Sequence, residues 1–325
     1  MKVTIGIPDW ARHIVSDLTD MDRRPHPVDA GRVKSFTLDL PDDVYLEYAF
    51  LDEAGEMQRD PGNELKAENP WYSEVSAIVG PDYRPDPYAV RSHKARGRVL
   101  RRRIESPTLN QMRRLILYTP AGKEAQHLPV VYLQDGVAYY RYARISDVLE
   151  GLIEDAAVRP AHLVFVEPRD RQAEYGFNPL FRTFLVDEVF PLAERDLRAS
   201  GERVAMGASL GGLLSATLAL EHAGLVQTVV AQSGAFLGTP DEPDFYESKR
   251  SWVLEHLGSG AGKRVRWYLE CGTFEWLADI NRRVAQVLKQ GGYEYRYLER
   301  NAGHNWTNWR NGLSSALRYA LAAAG

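Results

Sequence analysis

The chain has 325 residues, 44% of them hydrophobic and 26% charged, and a formal net charge of −4 at pH 7. Such a composition supports one large or two modest globular domains, and the slightly negative balance excludes a global positive field that would recruit nucleic acid or an anionic membrane. One cysteine, Cys271, excludes an intramolecular disulfide framework and a cysteine-based zinc cluster.

The first residues, MKVTIGIPDWARHIV, contain no uninterrupted apolar region and no small-residue cleavage site, and no later run approaches twenty apolar residues. A soluble cytoplasmic protein is expected. Residues 1–95 read as strands and turns: KVTIGI, VKSFTLDL and VYLEYAFLD, separated by DEAGE, DPGN and several prolines. No long helical pattern interrupts them, so a small β-sandwich is expected. From Arg91 to Arg103 the run RSHKARGRVLRRR is basic and reads as a linker, a binding patch or, most simply, a strand with a solvated face. The domain boundary is placed near residue 95, giving an N-terminal β-sandwich (1–95) and a second domain (96–325).

In that second domain apolar runs alternate with helix-period segments. The strand candidates are VVYL (130–133), HLVFVEP (162–168), RVAM (203–206), VQTVVAQ (226–232), RVRWYLE (264–270) and YEYRYLE (293–299). Between and after them lie FLVDEVFPLAERDLRA, LLSATLALEHAG, INRRVAQVLKQGG and NGLSSALRYALAAA, each with helical spacing. Strands alternating with helices predict a mostly parallel sheet covered by helices on both faces.

The segment VAMGASLGGLLSAT (204–217) carries Gly207-x-Ser209-x-Gly211 between a strand and a helix that should begin near Leu210. This context is that of a nucleophile elbow, in which small neighbours let the backbone turn sharply and a helix N-terminus favours developing negative charge. A serine hydroxyl needs a base to take its proton. His304, in ERNAGHNW after the last strand and before the terminal helix, stands where the order serine, acid, histidine requires it, whereas His222 and His256 end helix-like segments. The acid should follow RVRWYLE. Glu275 lies where that loop should turn and is preferred over Asp279, which reads as the start of the next helix, and over Glu270 in the strand end. The oxyanion donors should be the backbone N–H groups of Leu210, next to the serine, and of Val137 in QDGVAYY, where Gly136 would permit a tight turn.

The second domain resembles the esterase D and enterochelin esterase branch of α/β hydrolases, related to carbohydrate esterase family 1. The likeness rests on SPTL…RRLILYTP (106–120), LPVVYLQDG (128–136), Arg171-x-x-Glu174-Tyr175-x-x-Asn178, F-L-x-x-E-V-x-P (184–191), GASLGG, ECGTFE and GHNWTNWRNGL (303–313). The arginine-to-asparagine segment and the ending His304, Trp309, Arg310, Gly312, Leu313 point to the enterochelin esterases within that branch. The N-terminal half is similar to their early-set, carbohydrate-binding-like β-sandwich through FTLDLP…YLEYAFLDEAGEMQRDPGN. The chain departs from many members in carrying Glu275 and Asn305 where they carry aspartate.

The resemblance implies an α/β-hydrolase fold and a serine esterase with catalytic Ser209, His304 and Glu275, acting on a small-molecule ester, with ferric siderophore esters as one substrate class. Asp135, Arg171, Asn178, Trp306 and Trp309 are candidates for substrate binding. For Arg171, Glu174 and Asn178 the alternative is a buried network that shapes the loop, and for the tryptophans it is packing under the histidine loop. An acyltransferase using an alcohol acceptor, or a ligand-binding protein on a non-catalytic hydrolase scaffold, would use the same sequence features. No cofactor is called for, and neither H-E-x-x-H nor clustered Cys/His spacing suggests a metal.

Overall fold

The computed structural model describes residues 1–29, 31–91 and 94–322. Ser92 and His93, in the basic run, lie outside the described residues. The chain divides into two compact units: Met1–Pro85 with Cys271–Ala278 and Glu299–Trp309, and Asp86–Glu270 with Asp279–Leu298 and Arg310–Gly325.

In the smaller unit, β1 (Lys2–Gly6) pairs antiparallel with β4 (Ser35–Asp39). A five-stranded sheet joins β2 (His13–Ser16), β3 (His26–Pro27), β5 (Tyr45–Leu51), β6 (Met57–Gln58) and β7 (Ser76–Val79), with β5 central. The period of two along β5 explains its burial on both faces. Leu46, Tyr48 and Phe50 pack with Ile5, Leu40 and Ile78, while Tyr45 and Ala49 join Val15, Val75 and Ala77. Glu47 shares the second face and is fully buried.

The larger unit is built on an eight-stranded sheet. Its strands are β8 (Arg98–Ser106), β9 (Gln111–Thr119), β10 (Leu128–Gln134), β11 (His162–Val166), β12 (Ala199–Ala208), β13 (Thr228–Gln232), β14 (Arg266–Gly272) and β15 (Tyr295–Arg300). Across the sheet they run β15-β14-β13-β12-β10-β11-β9-β8. Neighbours from β14 to β11 are parallel, and β9 and β8 add an antiparallel edge. The order reverses beside β10, so β10 and β12 lie side by side with their carboxyl ends together, the place where open α/β sheets bind ligands.

The helices are α1 (Pro87–Val90), α2 (Gly136–Arg141), α3 (Ile145–Glu154), α4 (Arg171–Tyr175), α5 (Pro179–Thr183), α6 (Phe190–Asp196), α7 (Leu210–Glu221), α8 (Trp252–Gly258), α9 (Ala278–Gln290) and α10 (Trp306–Ala320). The predicted helix at 184–199 is divided: Phe184–Val189 is a π-helical segment leading into α6. Helix α7 is buried along nearly its whole length, which matches its apolar sequence on every side. No helix among the described residues is long and apolar enough to cross a membrane.

Candidate active site

Ser209 stands alone between β12 and α7 with φ 53° and ψ −120°. A non-glycine residue there carries strain of about 1–3 kcal/mol and persists only where its surroundings fix it. Four hydrogen bonds do so: its N–H donates to the Gln232 carbonyl at 2.8 Å, and its carbonyl accepts from Gly212, Leu213 and Ala235 at 2.9, 3.1 and 3.0 Å. Gly207 is required by close approach, since a Cβ there would fall 2.4 Å from the carbonyl carbon and oxygen of Gly211. The Ser209 side chain does not cap the helix. Bonding within α7 begins at Gly212, which leaves the Leu210 N–H outside the helical ladder at its positive end.

The loop after β10 lies against this turn: a Cβ on Gly211 would come within 3.0 Å of Gln134 Cβ and 3.3 Å of Asp135 Oδ2. Asp135, not Gly136, takes the left-handed conformation, with φ 60° and ψ 45°. Gly136 serves a different need, because a Cβ there would stand 2.6 Å from the backbone of Phe165 and Val166. Arg171 braces the loop. Its Nε and Nη2 donate to the two Asp135 oxygens at 2.7 and 2.8 Å, and Nη2 also donates to the carbonyl of Ala208 at 2.9 Å. Tyr175 completes the brace by accepting the Asp135 N–H at 2.8 Å. Glu174 accepts from the buried guanidinium of Arg113 and from the Arg169 N–H, and Asn178 caps α5 through Leu180 and Phe181. Asp135, Arg171 and Asn178 thus spend their polar groups on the loop and its supports.

The Val137 N–H donates to Glu167 Oε2 at 2.8 Å. Burial raises the Glu167 carboxyl above its ordinary range; the Val137 N–H opposes that shift and the charge of Asp135 adds to it. Sequence reasoning missed Glu167. Its position just past the carboxyl end of β11 is the available signal, since side chains there face the ligand end of the sheet.

In the smaller unit His304 Nδ1 lies 2.7 Å from Glu275 Oε2. The Glu275 side chain is fully buried, and its other oxygen accepts the Gly272 N–H at 2.8 Å. A carboxylate so placed fixes the imidazole with its proton on Nδ1 and leaves Nε2 as an acceptor. The alternative acids are elsewhere: Asp279 sits in the first turn of α9, and Glu270 accepts from Gln232 and from Tyr268.

Aromatic rings surround His304. Trp276, Trp309 and Trp71 have ring centroids 4.4, 4.9 and 6.3 Å from the imidazole, and Trp306 packs edge-on against Trp309 at 5.0 Å. Trp306 and Trp309 are almost wholly buried, which favours packing under the histidine loop. Trp71, at 43% exposure, was not anticipated. Nothing in NPWYS marks it, because its neighbourhood is created by long-range folding.

Behind Glu275 sits Asp17. Its Oδ2 accepts the Glu47 N–H at 2.7 Å and the Asn305 amide at 3.1 Å, while Oδ1 has no hydrogen bond. Burial, followed by the charge of Glu47, raises the Asp17 carboxyl well above the carboxylate range. Among the described residues no group of three or more His, Cys, Asp or Glu is placed to hold a metal ion.

The sequence model of the Esterase family, described as "Putative esterase", matches residues 106–320, more than half of the chain. The iron(III) salmochelin esterase of Escherichia coli O6:H1 is 27% identical over 221 residues, covering 63% of this chain and 53% of that protein. This chain therefore spans about half the length of that relative. An uncharacterized Bacillus subtilis protein, YjcH, is 23% identical over 239 residues, covering 69% of this chain and 98% of its own. Among solved structures, the enterobactin esterase FES from Shigella flexneri matches 98% of this chain and 92% of its own with a TM-score of 0.76 at 20% identity. A ferulic acid esterase matches 70% and 98% with a TM-score of 0.59 at 19% identity. The chain belongs to the Esterase family and is an esterase of the α/β-hydrolase fold.

Proposed function

We propose that the chain is a serine-dependent carboxylic ester hydrolase in which Ser209 is the nucleophile, His304 the general base and Glu275 the group that orients it. His304 Nε2 takes the hydroxyl proton as Ser209 Oγ bonds to the ester carbonyl carbon, and the carbonyl oxygen becomes an oxyanion received by the N–H groups of Leu210 and Val137. Collapse breaks the bond to the alcohol oxygen, which leaves with the proton held by His304. Water, deprotonated by the same imidazole, then releases the acid and restores Ser209. Glu275 keeps the imidazolium paired while it exists.

The observation that carries this reading is the backbone of Ser209, a strained serine held by four main-chain bonds at a helix N-terminus. Strain kept at Ser209, whose ψ of −120° lies far from the left-handed helical region, is the expected cost of presenting a nucleophile. Support also comes from His304, whose Nδ1 is committed to a buried carboxylate. For Val137 to serve the oxyanion, Glu167 must yield its N–H.

Ferric siderophore esters enter as a substrate class because the salmochelin and enterobactin esterases are among the similar proteins. The test is turnover of p-nitrophenyl acetate and butyrate, feruloyl and acetyl sugar esters, and a ferric catecholate trilactone, with products identified by mass. Wild type should hydrolyse at least one, and Ser209→Ala should not. Equal rates in the two proteins would refute the serine mechanism.

A further inference from the structure

Beside the Val137 loop the larger unit contains a pocket of about 510 Å³ lined by parts of β8, β9, β11 and α2. Strand register decides what faces it. Phe165 pairs with Ile116 and Ile116 with Arg101, while Arg114 pairs with Arg103, so these side chains share one face of the sheet. Val137 and Arg141, four residues apart on α2, present one helical face to the same space.

The opposite face shows the contrast. There Arg102, which also borders the pocket, pairs with Asp196 at 2.5 Å, and the buried Arg113 pairs with Glu174. On the pocket side, Arg101, Arg103, Arg114 and Arg141 form no ion pair among the described residues. One carboxylate, Glu167, lines the pocket with them, and it is engaged by the Val137 N–H. Four guanidinium groups around one carboxylate, with apolar walls from Ile116 and Phe165, form a site with excess positive charge. Guanidinium groups match carboxylate and phosphate oxygens in a planar, two-bond geometry.

We propose that this pocket is an anion subsite that receives a carboxylate- or phosphate-bearing part of the ester. The proposal rests on the esterase reading of the same site and deepens it. Val137 belongs both to the pocket wall and to the loop assigned to the oxyanion, so the anionic group and the scissile carbonyl are parts of one small molecule. The substrate is therefore an ester with an apolar body and at least one fully ionised oxyanion group.

The test compares kcat/KM for three esters with the same leaving group: p-nitrophenyl heptanoate, mono-p-nitrophenyl adipate and p-nitrophenyl 6-phosphonohexanoate. At low salt the wild type should favour one of the anionic esters at least tenfold over the heptanoate, and whichever leads separates a carboxylate from a phosphate site. That ratio should fall to about one in Arg101→Gln/Arg114→Gln and should fall in the same direction in Arg141→Gln, on a different element. Arg98→Gln, on β8 outside the pocket lining, removes a charge and should keep the ratio. A wild-type ratio near one for both anionic esters, or an equal fall in Arg98→Gln, would overturn the proposal. If no ester shows Ser209-dependent turnover, the esterase mechanism fails and the pocket is judged by calorimetric titration of benzene-1,3,5-tricarboxylate into Ser209→Ala. Binding that disappears on adding Arg101→Gln/Arg114→Gln supports the subsite, and absence of binding overturns it.

Discussion

Replacing Glu275 with glutamine tests the histidine half of the mechanism with almost no change in shape. Glu275 accepts from the Gly272 N–H through Oε1 and from the imidazole through Oε2. A glutamine has one acceptor and one donor end. The Gly272 N–H can only donate, so the amide oxygen must face it, and the amide NH2 is then directed at His304 Nδ1. That nitrogen must become an acceptor, which moves the imidazole proton to Nε2, where it blocks removal of the serine proton. The wrong tautomer in a triad of this kind lowers turnover about 10⁴-fold, or about 5.5 kcal/mol in the barrier. The assay is kcat/KM on a p-nitrophenyl ester with thermal unfolding measured in parallel. Glu275→Gln should melt close to wild type and lose about four orders of magnitude in activity, and Glu275→Asp should retain part of it. A Glu275→Gln enzyme within tenfold of wild type would refute the assignment of Glu275 as the orienting acid.

Three further outcomes follow from the geometry. Gly207→Ala places a methyl 2.4 Å from the Gly211 backbone, so the elbow must shift; kcat should drop about 10²-fold with a lowered Tm, and an unchanged kcat would show that the turn does not position the nucleophile. Glu167→Ala releases the Val137 N–H, and kcat/KM for a neutral ester should rise several-fold. A fall of about 10²-fold, the size of a lost oxyanion donor, would show instead that Glu167 orients Val137. Asp17→Asn should flatten the pH dependence of Tm. The folded-state carboxyl of Asp17 is raised above its ordinary value of 3.8, and that of its neighbour Glu47 to about 6. The stability that wild type has below pH 3.8 is therefore lost as pH rises toward the folded-state values. Asparagine can accept from Glu47 and Asn305 through one oxygen, as Asp17 does. A Tm profile identical to wild type from pH 4 to 7 would refute the buried-acid account.

Much of the larger unit was legible because its signals are local. Apolar runs, helical spacing and the small residues around Ser209 each occupy a few consecutive positions, and β12, the elbow and α7 fall where they indicate. In the loop before α2, Gly136 is the conspicuous turn former, yet Asp135 carries the positive φ and Gly136 is needed to pass the Phe165 backbone. Glu167, Trp71 and Asp17 were not legible as site neighbours. Each reaches its position through pairing between distant segments, as Asp17 does by bonding to Glu47 and Asn305. The strand reading of the basic run holds from Arg98 onward, but its division into paired and unpaired arginines depends on register, which composition does not encode.

The motif Arg171-x-x-Glu174-Tyr175-x-x-Asn178 shows where substrate identity must lie. Arg171 grips Asp135 and the carbonyl of Ala208, just before Ser209, Tyr175 takes the Asp135 N–H, Glu174 holds Arg113, and Asn178 caps the next helix. Arg171 and Tyr175 hold the loop after β10 against the turn at Ser209, and Glu174 and Asn178 hold the segment that carries them, a frame that the proposed mechanism requires equally for any ester. A frame of this kind positions the loop without choosing the ester, because all its contacts are within the protein. Discrimination has to come from groups that are uncommitted in the free protein and near the reacting loop. On the larger unit, Arg101, Arg103, Arg114 and Arg141 meet that description, so substrate preference should change with substitutions on β8, β9 and α2 that leave the motif intact.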